Sequence, residues 1–377
     1  MAAFGAIALL LGCSSDPLVS PDFQAKLETA PQDSLATLID DEATQLGVTA
    51  LSVTIHEAGE ESQTLYFGRA KAGGLMQVAS LSKTVAAAVI LTLARQEEVG
   101  LDDDIRSQIT SLDIAALEGG DRPVTLRQLL SHTTGASQSG YPGYARGSDL
   151  PTAVQVVANP PRVFESTLVF DGEPGEFRYS GGGYIIAQVW AEDVSGKTFA
   201  DLARETLFDP LGMEDSTFLQ PIEDAEIAPL TIVGADASFD LFDGVFASIE
   251  DSWHDYPEQA AAGLWTTSND YARFLIALMD AASGVENVIP SDLAKAMITP
   301  QVALEEGKHY GLGTQLVLHD DGSLRFVSHS GANTGYRALF SARPATQEEP
   351  RRVVVSIANT VSGAKLNEAI VFALTDQ

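Results

Sequence analysis

The sequence has little cysteine and little positive charge, and both shortages exclude classes of protein. Its 377 residues include one cysteine, so no disulfide can form within the chain. It contains 22 lysine and arginine residues against 52 aspartate and glutamate residues, which gives a formal net charge of −30. Such a charge repels phosphate groups, so the sequence predicts no nucleic-acid partner. The acidic residues are spread along the chain, which is typical of a well-solvated surface.

Long apolar runs are also missing. A membrane-spanning helix needs about 20 consecutive apolar residues, and no stretch of this sequence reaches that length. Residues 1–12 form a shorter apolar run, typical of an export signal peptide. The tetrad Leu10-Leu11-Gly12-Cys13 resembles a bacterial lipobox, although no lysine or arginine precedes it. The resemblance implies an exported lipoprotein, periplasmic or at the cell surface, anchored to a membrane through a lipid on Cys13. The alternative is an apolar terminus that is packed or frayed.

Strand patterns occur near both ends of the chain. Residues 47–59 are rich in β-branched side chains and end in turn residues, which predicts a strand, and residues 62–70 predict its hairpin partner. Four strands and a closing helix are predicted near the C-terminus, over residues 309–319, 324–331, 336–344, 351–359 and 365–374. The simplest packing places the N- and C-terminal strands in one antiparallel sheet.

Helical patterns fill the middle of the chain. A helix over residues 78–98 is apolar nearly all round in its middle and ends before Gly100, so we expect it to be buried. Further helices are predicted over residues 182–196, 198–212 and 266–284. Ser268 or Asn269 is the expected cap of the last one. Residues 236–257 are acidic and aromatic without a regular period, which predicts a surface loop over a cleft.

The elements together predict an α/β fold, in which helices flank an antiparallel sheet and a mostly helical lobe is inserted between its strands. The expected divisions are a signal peptide over residues 1–12, a tether over 13–32, an α/β domain over 33–100 and 301–377, and an inserted, mainly helical domain over 101–300.

Ser80 and Lys83 stand at the start of the predicted helix over residues 78–98. Residues three apart share a helix face, so the serine hydroxyl and the lysine amine can meet. A serine becomes a strong nucleophile when a base takes its proton, and lysine can be that base if burial lowers its pKa. The first turn also leaves the Ser80 backbone N–H free to donate to an oxyanion. A helix cap is the alternative interpretation of Ser80, and the simpler one for Ser362 in the second Ser-x-x-Lys, residues 362–365.

Two distant segments extend the pattern. Tyr179 precedes a glycine run that opens a predicted helix, and His329-Ser330-Gly331 ends a predicted strand. Ser-x-x-Lys, Tyr-Ser-Gly and His-Ser-Gly, in this order, resemble the motifs of the serine β-lactamase and penicillin-binding-protein superfamily. Its most similar members are class C β-lactamases, D-alanyl-D-alanine carboxypeptidases and family VIII esterases. The resemblance extends from about residue 40 to the C-terminus and implies a β-lactamase-like fold.

The resemblance implies a role for each matching residue. Ser80 would be the acylated nucleophile, Lys83 would help to remove its proton, and Tyr179 would share proton transfer and protonate the leaving group. The backbone N–H of Ala332 would join that of Ser80 in an oxyanion hole. The substrate-binding segment would consist of His329, Ser330 and Gly331.

Two positions depart from the family pattern. Gly181, a further member of the expected substrate-binding surface, stands where asparagine is usual, so a polar partner of the lysine and of the substrate amide is missing. His329 stands in place of lysine, and a mostly neutral histidine attracts a substrate carboxylate less strongly. Both changes favour esterase or peptidase activity over a dedicated β-lactamase.

Other classes of protein fit the sequence less well. The histidines form no H-x-x-x-H or comparable pair, so no metal site is predicted, and the absence of G-x-S-x-G disfavours an α/β-hydrolase. We therefore expect a monomeric serine hydrolase without a cofactor, acting on a small molecule or short peptide: an ester, a D-amino-acid peptide or a β-lactam. The rival is a catalytically weak penicillin-binding or cell-wall-peptide sensing protein of the same fold.

Overall fold

The computed structural model describes most of the chain, namely residues 19–160, 166–222, 227–235, 239–242, 245–247, 253–305, 307–347 and 349–376. Cys13 and the predicted signal peptide lie outside these residues, so lipidation and export remain predictions. Within the described ranges, no helix combines the length and the apolar character that crossing a membrane requires.

Helices predominate in the middle of the described chain, and strands β9 to β14 follow one another near its end. The helices are α1 (Phe23–Thr29), α2 (Gln32–Gln45), α3 (Ser82–Gln96), α4 (Leu126–Leu130), α5 (Ala153–Ala158), α6 (Gly181–Ser195), α7 (Phe199–Ala203), α8 (Asp209–Leu211), α9 (Gln259–Ala262), α10 (Ser268–Ala282), α11 (Ser291–Met297) and α12 (Gly363–Thr375). The strands are β1 (Ala50–Glu57), β2 (Gln63–Gly68), β3 (Met76–Gln77), β4 (Tyr144–Ala145), β5 (Phe239–Phe242), β6 (Val245–Ala247), β7 (His254–Asp255), β8 (Trp265–Thr266), β9 (Val302–Glu305), β10 (Lys308–Tyr310), β11 (Gln315–Leu318), β12 (Leu324–Asn333), β13 (Tyr336–Arg343) and β14 (Arg352–Ala358).

One antiparallel sheet of eight strands organises the fold, in the order β2-β1-β14-β13-β12-β11-β10-β9. Val53 of β1 lies opposite Leu65 of β2 and Ser356 of β14, which fixes the register at the junction of the two chain ends. The expectation that N- and C-terminal strands share one antiparallel sheet is therefore confirmed. The division into two domains remains a prediction. The helix α10, from the middle of the chain, packs against β1 and β14.

The two faces of the sheet are covered by different helices. Alternate residues of β1, such as Val53, point into an apolar cluster with α1, α2 and α12. Residues of the other parity point towards α10, where the Thr54 hydroxyl lies 2.8 Å from that of Ser268. The helix α3 is buried, as its apolar sequence predicts, and it packs against α6, α9 and α11. The 3-10 turn that precedes α3, Ala79–Leu81, contacts β12, and the candidate site forms there.

Two segments that the sequence predicts to lack regular structure contain short elements. In the predicted tether, α1 places Phe23 and Leu27 in the apolar cluster beneath α12. A single apolar pair one turn apart is too short a signal to predict a helix. Within the predicted loop over residues 236–257 lie β5, β6 and β7, and β7 pairs with β4 from a distant part of the chain. The two strands are far apart in the sequence, so no local periodicity predicts their pairing.

Two helix predictions need correction. The cap of α10 is Thr267, whose side chain accepts the backbone N–H of Asp270 at 3.1 Å, and neither Ser268 nor Asn269. The hydroxyl of Ser268 faces the sheet instead. The helix predicted over residues 198–212 is interrupted by a π-helical turn, Arg204–Phe208, before α8. Pro210 lies in the first turn of α8 and has no N–H to continue the earlier hydrogen bonding.

Candidate active site

Ser80 lies in a short 3-10 turn, Ala79–Leu81, that leads directly into α3. The turn is held from both sides, because the Val78 N–H donates to the Leu264 carbonyl at 3.2 Å and the Leu264 N–H donates to the Ser82 hydroxyl at 3.0 Å. Ala79 has φ of +50°, a left-handed conformation that residues with a side chain seldom adopt. The serine side chain is partly exposed, so a substrate can reach it.

Lys83 lies one turn further on and is 1% exposed. Its Nζ donates to the Ser80 hydroxyl at 3.1 Å and to the Ala261 carbonyl, in α9, at 2.7 Å. Burial lowers the pKa of Lys83 from 10.5 to about 7. A large share of the amine is therefore neutral near pH 7 and able to accept a proton from the serine.

Tyr179 reaches the same place from the segment before α6. Its ring centroid is 5.0 Å from Lys83 Nζ. Burial raises the pKa of the Tyr179 hydroxyl, and a hydrogen-bonding interaction with the Ser80 side chain opposes that rise only in part. Tyr179 therefore keeps its proton at neutral pH and is suited to donating it rather than to acting as a phenolate base.

Strand β12 passes directly beside the serine. A side-chain carbon added at Gly331 would overlap the Val78 carbonyl oxygen and lie 3.2 Å from the Ala79 Cβ, so only glycine permits this approach. Ser328 is the last residue of β12 that pairs with β11 in the described residues. Beyond that residue the edge of β12 faces the serine turn, with Ser330 and Ala332 exposed on it.

His329 differs from its expected position facing a substrate. The ring is 1% exposed, its Nε2 lies 3.1 Å from the Tyr310 hydroxyl, and its Nδ1 lies 2.8 Å from the Ser330 carbonyl. Burial, reinforced by the charge of Lys83, lowers the pKa of His329 to about 3. The ring is neutral and turned inward, so the exposed part of this motif consists of Ser330 and Ala332.

Gly181 begins α6, and its neighbours explain why no side chain is present. A Cβ at this position would lie 3.0 Å from Cε2 of Tyr141 and 3.3 Å from the Ser139 carbonyl oxygen. The Tyr141 ring therefore packs where the asparagine of the family pattern would begin. The half-buried hydroxyl of Tyr141 donates to Gln138 at 2.7 Å, so an aromatic side chain borders the site where an amide is usual.

The structure thus brings together Ser80, Lys83 and Tyr179 with the predicted β12 segment. Three nearby contributors are missed by the motif comparison: the Ala261 carbonyl, His132, whose ring centroid is 4.3 Å from that of Tyr179, and Tyr310. His132 lies in residues 125–135, TLRQLLSHTTG, a stretch that resembles a recurrent segment of the same superfamily, and this resemblance is the signal that could have indicated it. Within the part of the chain that the structure describes, no cluster of three or more His, Cys, Asp or Glu side chains could hold a metal ion.

Curated relatives of similar sequence are larger proteins. Penicillin-binding protein 4* of Bacillus subtilis (strain 168) is 28% identical over 154 residues, which cover 39% of this chain and 31% of that protein. Unguisins hydrolase ungD' of Aspergillus campestris (strain IBT 28561) is 25% identical over 309 residues, 71% of this chain and 54% of that protein. The chain therefore spans between about a third and a half of the length of these relatives.

Solved structures share the fold at low sequence identity. The octameric penicillin-binding protein homologue from Pyrococcus abyssi has a TM-score of 0.68 at 22% identity, covering 90% of this chain and 76% of that one. The D-amino acid amidase from Ochrobactrum anthropi SV3, complexed with D-phenylalanine, has a TM-score of 0.67 at 22% identity, covering 91% and 97%.

A family model described as Beta-lactamase matches residues 35–374. That range includes the serine turn, the Tyr179 segment and β12, so the same chain segments carry the three motifs, the geometry and the match. The fold class and the superfamily predicted from the motifs are confirmed. The chain belongs to the beta-lactamase family.

Proposed function

We propose that the protein is a serine hydrolase that forms an acyl-enzyme on Ser80 and hydrolyses a small ester or amide. The observation that carries the proposal is the 3.1 Å contact between the Ser80 hydroxyl and a buried Lys83 amine whose pKa is lowered to about 7. A nucleophile paired with a base that is neutral at working pH is what acyl transfer requires.

The proposed reaction has two stages. In acylation the Ser80 hydroxyl gives its proton to Lys83 while its oxygen bonds to the substrate carbonyl carbon. The backbone N–H groups of Ser80 and Ala332 are assigned to the oxyanion that develops. Tyr179 donates a proton to the departing alcohol or amine as its bond to the carbonyl breaks, and Lys83 returns a proton to Tyr179. In deacylation water gives a proton to Lys83 as its oxygen bonds to the acyl carbon. Lys83 then returns that proton to the Ser80 oxygen as the bond between this oxygen and the acyl carbon breaks, which releases the carboxylic acid.

Two observations favour esters and amides that lack a carboxylate over β-lactams. His329 is buried and neutral, so it adds no positive charge to attract the carboxylate that β-lactam substrates carry. Structural neighbours include a D-amino acid amidase and a D-stereospecific amidohydrolase, and a curated relative is a hydrolase. We expect hydrolysis of p-nitrophenyl butyrate, cleavage of D-phenylalanine amide in preference to its L-isomer, and slower or no turnover of nitrocefin.

Labelling and turnover of a serine variant test the proposal. A fluorophosphonate should add once to the wild-type protein and not to Ser80→Ala, and the variant should lose turnover of p-nitrophenyl butyrate. Ser362→Ala is the matched control, because Ser362 belongs to the second Ser-x-x-Lys of the chain, and it should label and turn over normally. Label that persists on Ser80→Ala would refute the assignment of the nucleophile.

The alternative function is binding without efficient turnover, as in a sensor of cell-wall peptides. The observation that favours it is Gly181, which supplies no amide where the family pattern has asparagine. A fluorescent penicillin that labels Ser80 stably, with no turnover of esters, amides or nitrocefin, would establish this alternative. Failure of both penicillin and fluorophosphonate to label Ser80 would rule out an acyl-enzyme on Ser80.

The proposed cellular setting is that of an exported, lipid-anchored monomer. It is supported by the lipobox-like tetrad that ends at Cys13. Expression of the full chain in a bacterial host with a radiolabelled fatty acid should label the wild-type protein, whereas Cys13→Ala should remain unlabelled. Size-exclusion chromatography with light scattering measures the molar mass in solution and so tests whether the protein is a monomer. The test matters because one structural neighbour is octameric.

A further inference from the structure

A continuous series of hydrogen bonds joins the Tyr179 segment to β12 behind the site. The Ser180 N–H donates to Nδ1 of His132 at 3.0 Å, and Nε2 of His132 lies 3.1 Å from the Tyr310 hydroxyl. That hydroxyl lies 3.1 Å from Nε2 of His329, and Nδ1 of His329 lies 2.8 Å from the Ser330 carbonyl. We name these five groups the histidine–tyrosine chain. Its three side chains are each at most 1% exposed.

The two backbone groups at its ends fix every proton in the histidine–tyrosine chain. A backbone N–H can only donate, so Nδ1 of His132 is an acceptor and the neutral ring carries its proton on Nε2. A carbonyl can only accept, so His329 carries its proton on Nδ1 and has a lone pair on Nε2. Because His132 offers a proton and His329 a lone pair, the Tyr310 hydroxyl accepts from His132 and donates to His329. The Tyr184 hydroxyl also approaches it, but its own proton is donated to the Leu130 carbonyl at 2.8 Å. The two rings are held as opposite tautomers.

Protonation of either imidazole ring would disrupt this pattern of donors and acceptors. A proton on Nδ1 of His132 would face the Ser180 N–H, and a proton on Nε2 of His329 would leave the Tyr310 hydroxyl between two donors. The titratable groups that face the chain from neighbouring elements are Lys83, Tyr179, Tyr184 and Tyr271. Burial and the charge of Lys83 lower the pKa of both histidines, in agreement with the hydrogen-bond pattern.

The ends of the histidine–tyrosine chain are neighbours of the reacting groups. Ser180 follows Tyr179 in sequence, and Ser330 lies two residues before Ala332. The His132 ring also packs against the Tyr179 ring, with ring centroids 4.3 Å apart and an angle of 39° between the ring planes. The backbone of His132 has φ of +60°, a left-handed conformation that a histidine keeps only when its surroundings hold it.

We propose that Tyr310 is a positioning residue whose hydroxyl, by joining His132 to His329, sets the separation between the Tyr179 phenol and the β12 edge and keeps both imidazoles uncharged. The kinetic consequence rests on the proposed function. The assignment of the two tautomers does not rest on it, so the tautomer assignment and the proposed function can be refuted independently.

Nitrogen-15 NMR of histidine-labelled protein tests the tautomers without any substrate. Of the six histidines in the chain, His132 should show a protonated Nε2 and His329 a protonated Nδ1, assigned with His132→Gln and His329→Gln. Both rings should stay neutral from about pH 5.5 to 8.5, whereas an exposed histidine titrates near 6.5. A ring that titrates in this range, or two rings with the same tautomer, would overturn the proposal.

Replacing the central hydroxyl tests the positioning role. Tyr310→Phe should lower kcat for p-nitrophenyl butyrate about 10- to 100-fold while KM changes less than about threefold, because a displacement near 1 Å costs this much. Tyr336→Phe is the matched control, a buried tyrosine whose hydroxyl donates to the Ile232 carbonyl at 2.8 Å, and its kcat should change less than about threefold. Rates are expressed per fluorophosphonate-titrated site, so that unfolded protein is not counted. Equal kinetics for the two variants would refute the positioning role even if Ser80 is the nucleophile.

Discussion

The buried amine of Lys83 should lower the stability of the folded protein, and removing it should raise that stability. The side chain is 1% exposed, and burial lowers its pKa from 10.5 to about 7. A pKa change of this size corresponds to about 5 kcal/mol. In the folded protein this free energy disfavours the protonated amine, whereas the unfolded chain keeps the proton at no such cost.

The pH dependence of this penalty has a definite sign. Because the folded-state pKa of Lys83 is lower than the unfolded-state pKa, the unfolded chain binds up to one more proton between about pH 7 and 10.5. The free energy of unfolding therefore gains up to about 1.4 kcal/mol per pH unit from this group as the pH rises. The penalty is fully present below about pH 7 and is relieved towards pH 10.5.

Lys83→Met removes the amine and keeps an unbranched side chain. It also leaves the Ala261 carbonyl without the donor that lies at 2.7 Å, which costs about 1–3 kcal/mol. Subtracting that cost from about 5 kcal/mol leaves an expected gain of about 2–4 kcal/mol in the free energy of unfolding at pH 6.5. The gain should shrink by about 1.4 kcal/mol per unit above pH 7 and approach zero near pH 9.

Urea unfolding of wild type and variant from pH 6.5 to 9.5 measures the difference. Lys365→Met is the matched control, since Lys365 belongs to the second Ser-x-x-Lys but its side chain is 42% exposed and pairs with Glu368 at 2.9 Å. That variant should show no pH-dependent difference. Parallel curves for wild type and Lys83→Met would refute the reasoning, because they would mean that the amine titrates alike in the folded and unfolded states.

The remaining predictions concern rates and two glycines. The rate of acylation should rise with pH through an apparent pKa near 7, since about half of the Lys83 amine is then neutral; a flat rate in stopped-flow measurements from pH 5.5 to 8.5 would exclude it as the base. Gly331→Ala should lower the rate of acylation at least about 10-fold, because its Cβ would overlap the Val78 carbonyl oxygen just before the serine turn. Gly140→Ala is the control, since open space surrounds Gly140, and it should leave the rate unchanged. Equal acylation rates for the two variants would contradict this packing. Gly181→Asn should displace Tyr141 and lower the melting temperature, and a crystal structure with the Tyr141 ring unmoved would show the prediction to be wrong.

The sequence predicts the site best where its geometry is local. Ser80 and Lys83 are three residues apart, so one turn of helix is enough to bring them together. Tyr179 and the β12 segment become predictable only through the order of three motifs, since no period in the sequence places them beside α3. The inward orientation of His329 could not be predicted, because it depends on Tyr310, and the pairing of the two arises only when β10, β11 and β12 form a sheet.

The same distinction applies to the fold. The strands at both ends alternate or are β-branched over enough residues to be recognised, and they form the predicted sheet. The helix α1 carries only Phe23 and Leu27 towards the core, and Thr267 is selected as the cap of α10 because Ser268 is engaged with the sheet. Both outcomes are decided by tertiary contacts.

The serine turn concentrates two unfavourable features that the rest of the fold must offset. Ala79 is held in a left-handed conformation, which costs about 1–3 kcal/mol, and Lys83 is buried without its full charge. Both persist because the residues on either side of the turn, Val78 and Ser82, form hydrogen bonds with Leu264, and because Gly331 packs closely against the turn. Desolvation is what lowers the pKa of Lys83, and the left-handed residue Ala79 directly precedes the nucleophile in the turn. Changes that relax this turn should therefore raise stability and lower acylation together, whereas changes that weaken the contacts with Leu264 should lower both.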